Sequence, residues 1–263
     1  MARFGVISSR DNPQIKRAAR LAASSRSRRE NGLFVVEGVR LCLDALHSGL
    51  SVETLFYTVE GAQRYPAAIA ELRQAAAASF ETEPSAFKKI TDTVTPQGAL
   101  CLCPIPDRAE PKAVDPKGKY AALEHIADPA NLGAMARTAE ALGLDGLLLS
   151  PDCCDPYSPK SLRAGMGALF RVPLFPVGDF YKTLAGLKEQ GMALYAALPR
   201  QDAQSVTELR FGPGSVVVIG NEGNGLTDKT VGLCRPITIP MGGRAESLNA
   251  AAAAAILMWE MLR

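Results

Sequence analysis

Metal ligands are scarce in this sequence. The six cysteines, at 42, 101, 103, 153, 154 and 234, form no C-x-x-C pair, and only His47 and His125 could assist them. Zinc sites draw three or four such ligands from short spacings, so no metal is expected. A disulfide framework is equally unsupported in a chain of 263 residues with no secretory apolar segment. The thiols therefore read as reduced and mostly packed, which fits a cytoplasmic setting. Long apolar runs are missing too. The longest, Ala250 to Trp259, has ten residues, about half of what a membrane-spanning helix requires, so no membrane partner is expected.

Acidic residues are nearly absent from one segment. Between positions 10 and 29 the only acid is Asp11, against Arg10, Lys16, Arg17, Arg20, Arg26, Arg28 and Arg29. That stretch carries +6 in a chain whose net charge is +2, leaving −4 for the remainder. Clustered cations of this kind gain counterion-release free energy on a phosphate backbone and point to an anionic partner met by the N-terminal end. A solvated helix face is the plainer explanation. An organelle transit peptide is a third, disfavoured because the segment runs straight into Leu33 to Gly38, which reads as an ordered strand and turn.

What is present is an α/β pattern, long enough for two domains of ordinary size. Helical signals cover Pro13 to Ala23, Val39 to His47 and Pro66 to Ala78, and extended ones cover Leu33 to Val36, Val52 to Thr58 and Gly98 to Cys103. The alanine runs at 75 to 78 and 250 to 255 favour helix. Proline-dense sequence over residues 105–118 marks a linker between an N-terminal domain, 1–104, and a second domain, 119–263. In the second domain Tyr120 to Ile126, Asn131 to Leu142 and Gly146 to Leu149 form a βαβ unit. Further strands are expected at Val172 to Phe175, Ala193 to Ala197, Val216 to Ile219 and Ile237 to Ile239. Apolar strands alternating with helices predict a mostly parallel sheet covered on both faces. A terminal helix follows Ser247, whose hydroxyl is available as its N-cap.

Three strand ends of the second domain lead into small or polar residues, where open α/β sheets bind ligands. In the first, Asp128 to Thr138, Asn131 and Gly133 open a helix and Arg137 lies in its second turn; Arg137 could simply pair with Glu140 at i+3. The second, Val216 to Leu226, runs a buried strand into Gly220, Gly223 and Gly225. It is neither a Walker loop nor a dinucleotide fingerprint, and a tight turn would explain it alone. The third, Ile237 to Asn249, passes from strand to loop to helix start. Asn249 is costly in so alanine-rich an opening unless it bonds something, local capping included.

Together, N-x-G-x-x-x-R-T at 131 to 138, G-N-E-G-x-G-L at 220 to 226 and I-P-M-x-G-x-x-x-S-L-N at 239 to 249 resemble the three motifs of the SpoU/TrmH family of SPOUT methyltransferases. Asp155 to Arg171 is also family-like, with Gly165 where a serine is common. The likeness is strong over residues 118 to 263. It is less specific in the N-terminal part, where Ser8 to Pro13 and Phe34 to Gly38 look like the substrate-binding domain often attached to such enzymes.

The resemblance implies an α/β SPOUT domain with a mostly parallel sheet closed by a deep trefoil knot, an exception to unthreaded topology, preceded by a small α/β substrate-binding domain. It implies a homodimer, S-adenosylmethionine as cofactor and methyl transfer to a ribose 2′-hydroxyl, of rRNA before tRNA. Cofactor-binding candidates are then Ala197, Leu198, Gly220, Asn221, Glu222, Gly223, Ile239, Pro240, Met241, Ser247, Leu248 and Asn249. Catalytic candidates are Arg137, Asn131, Glu222, Ser247 and Asn249, and Arg137 and Arg163 join the N-terminal cations as RNA contacts. As a literal base Arg137 is handicapped, because a guanidinium with a pKa above about 12 starts at least ~7 kcal/mol away if about five pH units must be supplied. Holding a phosphate and stabilising alkoxide charge suits it better. The rivals are a tRNA or base-directed methyltransferase, a non-catalytic RNA-binding protein on this fold, and a Rossmann-type nucleotide enzyme. The last lacks the glycine fingerprint and the acid after it.

Overall fold

The computed structural model describes residues 3–106, 114–200 and 202–263. From the N-terminus come β1 (Arg3–Ile7), α1 (Pro13–Ala23), α2 (Ser25–Asn31), β2 (Leu33–Glu37), α3 (Val39–His47), β3 (Thr54–Tyr57), α4 (Val59–Arg64), α5 (Pro66–Ala75), β4 (Ala78–Thr82), α6 (Pro84–Phe87) and β5 (Ala99–Pro104). Then follow β6 (Lys119–Leu123), α7 (Pro129–Leu142), β7 (Gly146–Leu149), α8 (Pro159–Gly165), α9 (Ala168–Arg171), β8 (Leu174–Pro176), α10 (Phe180–Glu189), β9 (Ala193–Ala197), β10 (Gln204–Ser205), β11 (Ser215–Ile219), α11 (Asp228–Leu233), β12 (Arg235–Thr238) and α12 (Ala250–Leu262). Two compact units result. One comprises Met1–Asp107 with Tyr157–Phe170, the other Arg108–Pro156 with Arg171–Arg263. Much of the linker expected over 105–118 lies outside the described residues.

The first unit holds a five-stranded sheet in the order β1-β4-β3-β5-β2. Strands β1, β4 and β3 run parallel, and β5 is antiparallel to both β3 and β2. Helix α1 buries Ile15, Ala18 and Leu21, at i, i+3 and i+6, in a core shared with Val35, Phe56, Phe87 and Leu100. The segment Tyr157–Phe170, read in sequence as part of the second domain, clusters here: Phe34 of β2 packs its ring 4.8 Å from Tyr157 and 6.2 Å from Phe170. One element departs from expectation. The helix expected over Pro66 to Ala78 ends at Ala75, Ala76 turns extended, and Ala78 begins β4, paired on both sides by β1 and β3. Two ladders of backbone hydrogen bonds outweigh the helix preference of an alanine run.

The second unit is built on a seven-stranded, wholly parallel sheet in the order β10-β12-β9-β11-β6-β7-β8. Its central strands are buried from end to end, as in Ser215-Val216-Val217-Val218-Ile219, because helices cover both faces and leave no wet side for alternation. From β6 the chain proceeds to β7 on one side, while β11 pairs on the other. The carboxyl ends of the neighbouring parallel strands β12, β9 and β11 therefore lie side by side, and α12 packs on β11 and β6. Among the described residues no helix is long and apolar enough to cross a membrane.

Candidate cofactor and catalytic site

The loops leaving those adjacent strand ends enclose a cleft of about 430 Å³, within the roughly 300–1,000 Å³ of small-molecule sites. Its walls are Ala197 to Arg200 after β9, Ile219 to Leu226 after β11, Ile237 to Ile239 with Met241 after β12, and Ser247, Leu248, Ala250, Ala253 and Leu257 at the start of α12. Met241 and Leu248 remain 37% and 38% exposed at its edge. Apolar side chains left uncovered beside a concave surface fit a flat ring system.

The loop after β11 is shaped by its own backbone. Asn221 and Gly225 exchange N–H to carbonyl hydrogen bonds, both 3.0 Å, folding the chain back on itself. A Cβ on Gly220 would come within 2.3 Å of the Gly225 carbonyl carbon, so only glycine fits. Asn221 Oδ1 accepts from the amides of Gly223 (2.8 Å) and Asn224 (3.0 Å), and its Nδ2 donates to the His125 carbonyl at 2.8 Å. Asn221 therefore holds the loop in shape and pins it to the end of β6.

Helix α7, the loop after β11 and the start of α12 are joined through one line of side chains. Asn131 Nδ2 on α7 donates to Glu222 Oε1 at 2.8 Å, and Asn249 Nδ2 donates to Asn131 Oδ1 at 3.1 Å. Glu222 also accepts from the amides of Ala127 (3.3 Å) and Asp128 (3.4 Å). Partial burial works against its charge, but the Asn131 amide and these backbone amides hold its carboxyl below the usual range. Asn249 Oδ1 meanwhile caps α12 by accepting from Ala251 (2.9 Å) and Ala252 (3.2 Å). The cap of the terminal helix is thus Asn249 rather than Ser247, and capping and bonding across the site coexist on its two side-chain atoms.

Of the cofactor candidates, Ala197, Leu198, Gly220, Asn221, Glu222, Gly223, Ile239, Met241, Ser247 and Leu248 line the cleft; Pro240 and Asn249 do not. Among the catalytic candidates, Asn131, Glu222 and Asn249 are hydrogen-bonded together and Ser247 lies on the wall. Arg137 stands apart from the cleft. It is exposed and makes no hydrogen bond or ion pair with a described residue, while Glu140 is taken by Arg171 at 2.8 Å. Sequence reading missed Pro199, Arg200 and the deeper wall of α12. A signal existed for the latter, since Ala250, Ala253 and Leu257 recur at helical spacing.

The cations expected to meet RNA divide sharply. Arg28 is a correction: it is 4% exposed, and its Nη1 donates to the Leu21 (2.6 Å) and Ala22 (3.1 Å) carbonyls. These are orphan carbonyls at the end of α1, and satisfying them turns the guanidinium inward. Arg163 is tied to Asp92 at 2.6 Å and lies 3.7 Å from Glu37. Lys16, Arg17 and Arg26 pair with Asp11, Glu53 and Glu30. Arg10, Arg20 and Arg29 are exposed and form no ion pair with a described residue.

Comparison with known proteins gives two matching family models. Residues 119–259 match the SpoU rRNA Methylase family and residues 12–101 the MRM3-like substrate binding domain. The chain is 30% identical over 261 residues to an uncharacterized tRNA/rRNA methyltransferase of Synechocystis, covering 98% of this chain and 93% of that one. It is 30% identical over 260 residues to the 23S rRNA (guanosine(2553)-2′-O)-methyltransferase of Bacillus subtilis, covering 97% and 98%. Among solved structures, an AdoMet-bound rRNA methyltransferase from Sinorhizobium meliloti superposes with a TM-score of 0.86 at 26% identity, covering 98% of this chain and 97% of that one. The SpoU methyltransferase AviRb from Streptomyces viridochromogenes, solved with AdoMet, gives 0.84 at 27% identity, covering 95% and 97%.

Proposed function

We propose that this chain, which belongs to the SpoU rRNA methylase family, is an S-adenosylmethionine-dependent RNA methyltransferase that modifies a ribose 2′-hydroxyl of ribosomal RNA. The observation that carries the reading is the Glu222–Asn131–Asn249 line of hydrogen bonds, which joins the three motif segments beside an apolar cleft. The residues present suit the cofactor: Leu198, Ile239, Met241 and Leu248 offer apolar surface to an adenine, and an ionised Glu222 favours positive charge nearby. Bound there, S-adenosylmethionine supplies an already electrophilic methyl group, so the protein's task is orientation and proton management.

The loop of Gly220 to Leu226 orients the cofactor by shape, fixed through Asn221. Asn131 and Asn249 keep Glu222 in place and ionised. Arg137 is on the same helix as Asn131, about 9 Å further along at 1.5 Å per residue, with its guanidinium free for a phosphate. Arg10, Arg20 and Arg29 supply positive charge for the RNA backbone. A homodimer belongs to the same reading, and Ile256 and Trp259 of α12, 38% and 58% exposed, are apolar surface suited to a second copy. So does a trefoil knot in the C-terminal unit.

The experiment is transfer of labelled methyl from S-adenosylmethionine to purified rRNA and tRNA, followed by mass spectrometry of nuclease digests. Label in a 2′-O-methylnucleoside of rRNA is expected; label on a base, or in tRNA alone, would overturn the proposal.

A further inference from the structure

Among the described residues only two charged side chains line the cleft, the anion Glu222 and the cation Arg200. Arg200 lies three residues beyond the end of β9, on the loop that begins with Ala197 and Leu198. Its guanidinium is engaged along one edge: Nε donates to Asp202 Oδ1 at 2.9 Å and Nη2 to Asp202 Oδ2 at 2.5 Å. A guanidinium has five N–H donors in a planar fork, so the Nη1/Nη2 end stays open to a second carboxylate while Asp202 fixes the plane.

The ligand's own charges bear on this. S-adenosylmethionine carries a positive sulfonium, a positive ammonium and one carboxylate. The carboxylate cannot be placed against Glu222 without like-charge repulsion, whereas the two cationic centres are favoured there. On charge alone, the cleft sorts the methionine tail by sign.

We propose that Arg200 receives the α-carboxylate of S-adenosylmethionine through the open end of its guanidinium, with Asp202 as the residue that positions it. The proposal rests on the cofactor reading of the cleft. It gives the loop after β9 a specific duty, fixing which end of the methionine tail faces that loop.

The test compares S-adenosylmethionine with its decarboxylated form, which keeps the adenosine, sulfonium and ammonium but lacks the carboxylate. Calorimetric titration of the full chain and of Arg200→Ala reads both affinities without any RNA. Arg200→Ala should bind S-adenosylmethionine about tenfold more weakly, the size of one charge-assisted contact, and the decarboxylated form unchanged. Arg200→Lys should keep part of the difference, because the charge remains but the fork is lost. Equal weakening of both ligands would assign Arg200 a packing role and overturn the proposal, as would no change in either. If the unaltered chain binds neither ligand, the cofactor reading itself falls, an outcome separable from failure of the Arg200 arm alone.

Discussion

Glu222 and Asn249 each make backbone contacts and a bond across the site at once. Glu222 is held below its ordinary carboxylate range, near 4.5, by donors that prefer its charged form. A lowered folded-state pKa means a contribution to stability that is complete above the ordinary value and lost as pH falls through the lowered one. Glu222→Gln should therefore flatten the acid side of the stability profile, seen in unfolding midpoints between neutral pH and pH values below 4.5. Equal acid sensitivity in the two proteins would contradict the network. Asn249 allows a finer separation. Asn249→Ala removes cap and cross-site bond together and should cost about 1 kcal/mol in thermal or urea unfolding. Asn249→Asp keeps the cap but cannot donate to Asn131 Oδ1, so it should unfold near the normal midpoint while turnover falls at least tenfold. A turnover unchanged in Asn249→Asp would remove the bond to Asn131 from the catalytic account.

Elements were legible where a pattern was continuous and obscure where a neighbour decided. The strand at Ala193–Ala197, the strand at Gly146–Leu149 and the helix at Val39–His47 stand where apolar periodicity puts them. Strand β4 was not legible, because Ala76 and Ala78 favour helix in isolation and become extended only between β1 and β3. The basic segment was half legible: its charge can be counted, but only the folded α1–α2 corner shows that Arg28 closes a helix end. Arg28→Ala should accordingly destabilise the protein by about 1–3 kcal/mol, whereas Arg20→Ala should leave unfolding within about 0.5 kcal/mol and weaken RNA binding instead. Urea unfolding beside filter binding at several salt concentrations separates the two, with each lost phosphate contact lowering the salt slope by about one. In the loop of Gly220 to Leu226, Gly220→Ala forces its Cβ into the Gly225 backbone. It should abolish cofactor binding, read by calorimetry, because the hairpin cannot close over a side chain.

At the level of the whole molecule, a chain with a net charge of only +2 distributes its charge and its apolar cleft between two units. Basic side chains gather on α1 and α2 of one, and the apolar cleft lies at the strand ends of the other. The cleft was readable because three motif segments, after β6, β11 and β12, stand in one family-like order, although each segment alone reads as an ordinary turn or cap. Their hydrogen bonding to one another is a property of the fold, as is the grouping of Tyr157–Phe170 with the first unit. The exposed apolar pair on α12 gives a further expectation at this scale: light scattering should report a dimer, and Trp259→Glu should shift it toward monomer. The claim that the ribose hydroxyl accepts the methyl is tested most directly by locating the labelled nucleotide and removing that hydroxyl alone. An RNA fragment with a single 2′-deoxy substitution at the modified position should still bind and accept no methyl group. Transfer that continues on the deoxy fragment would place the methyl elsewhere and contradict the assignment.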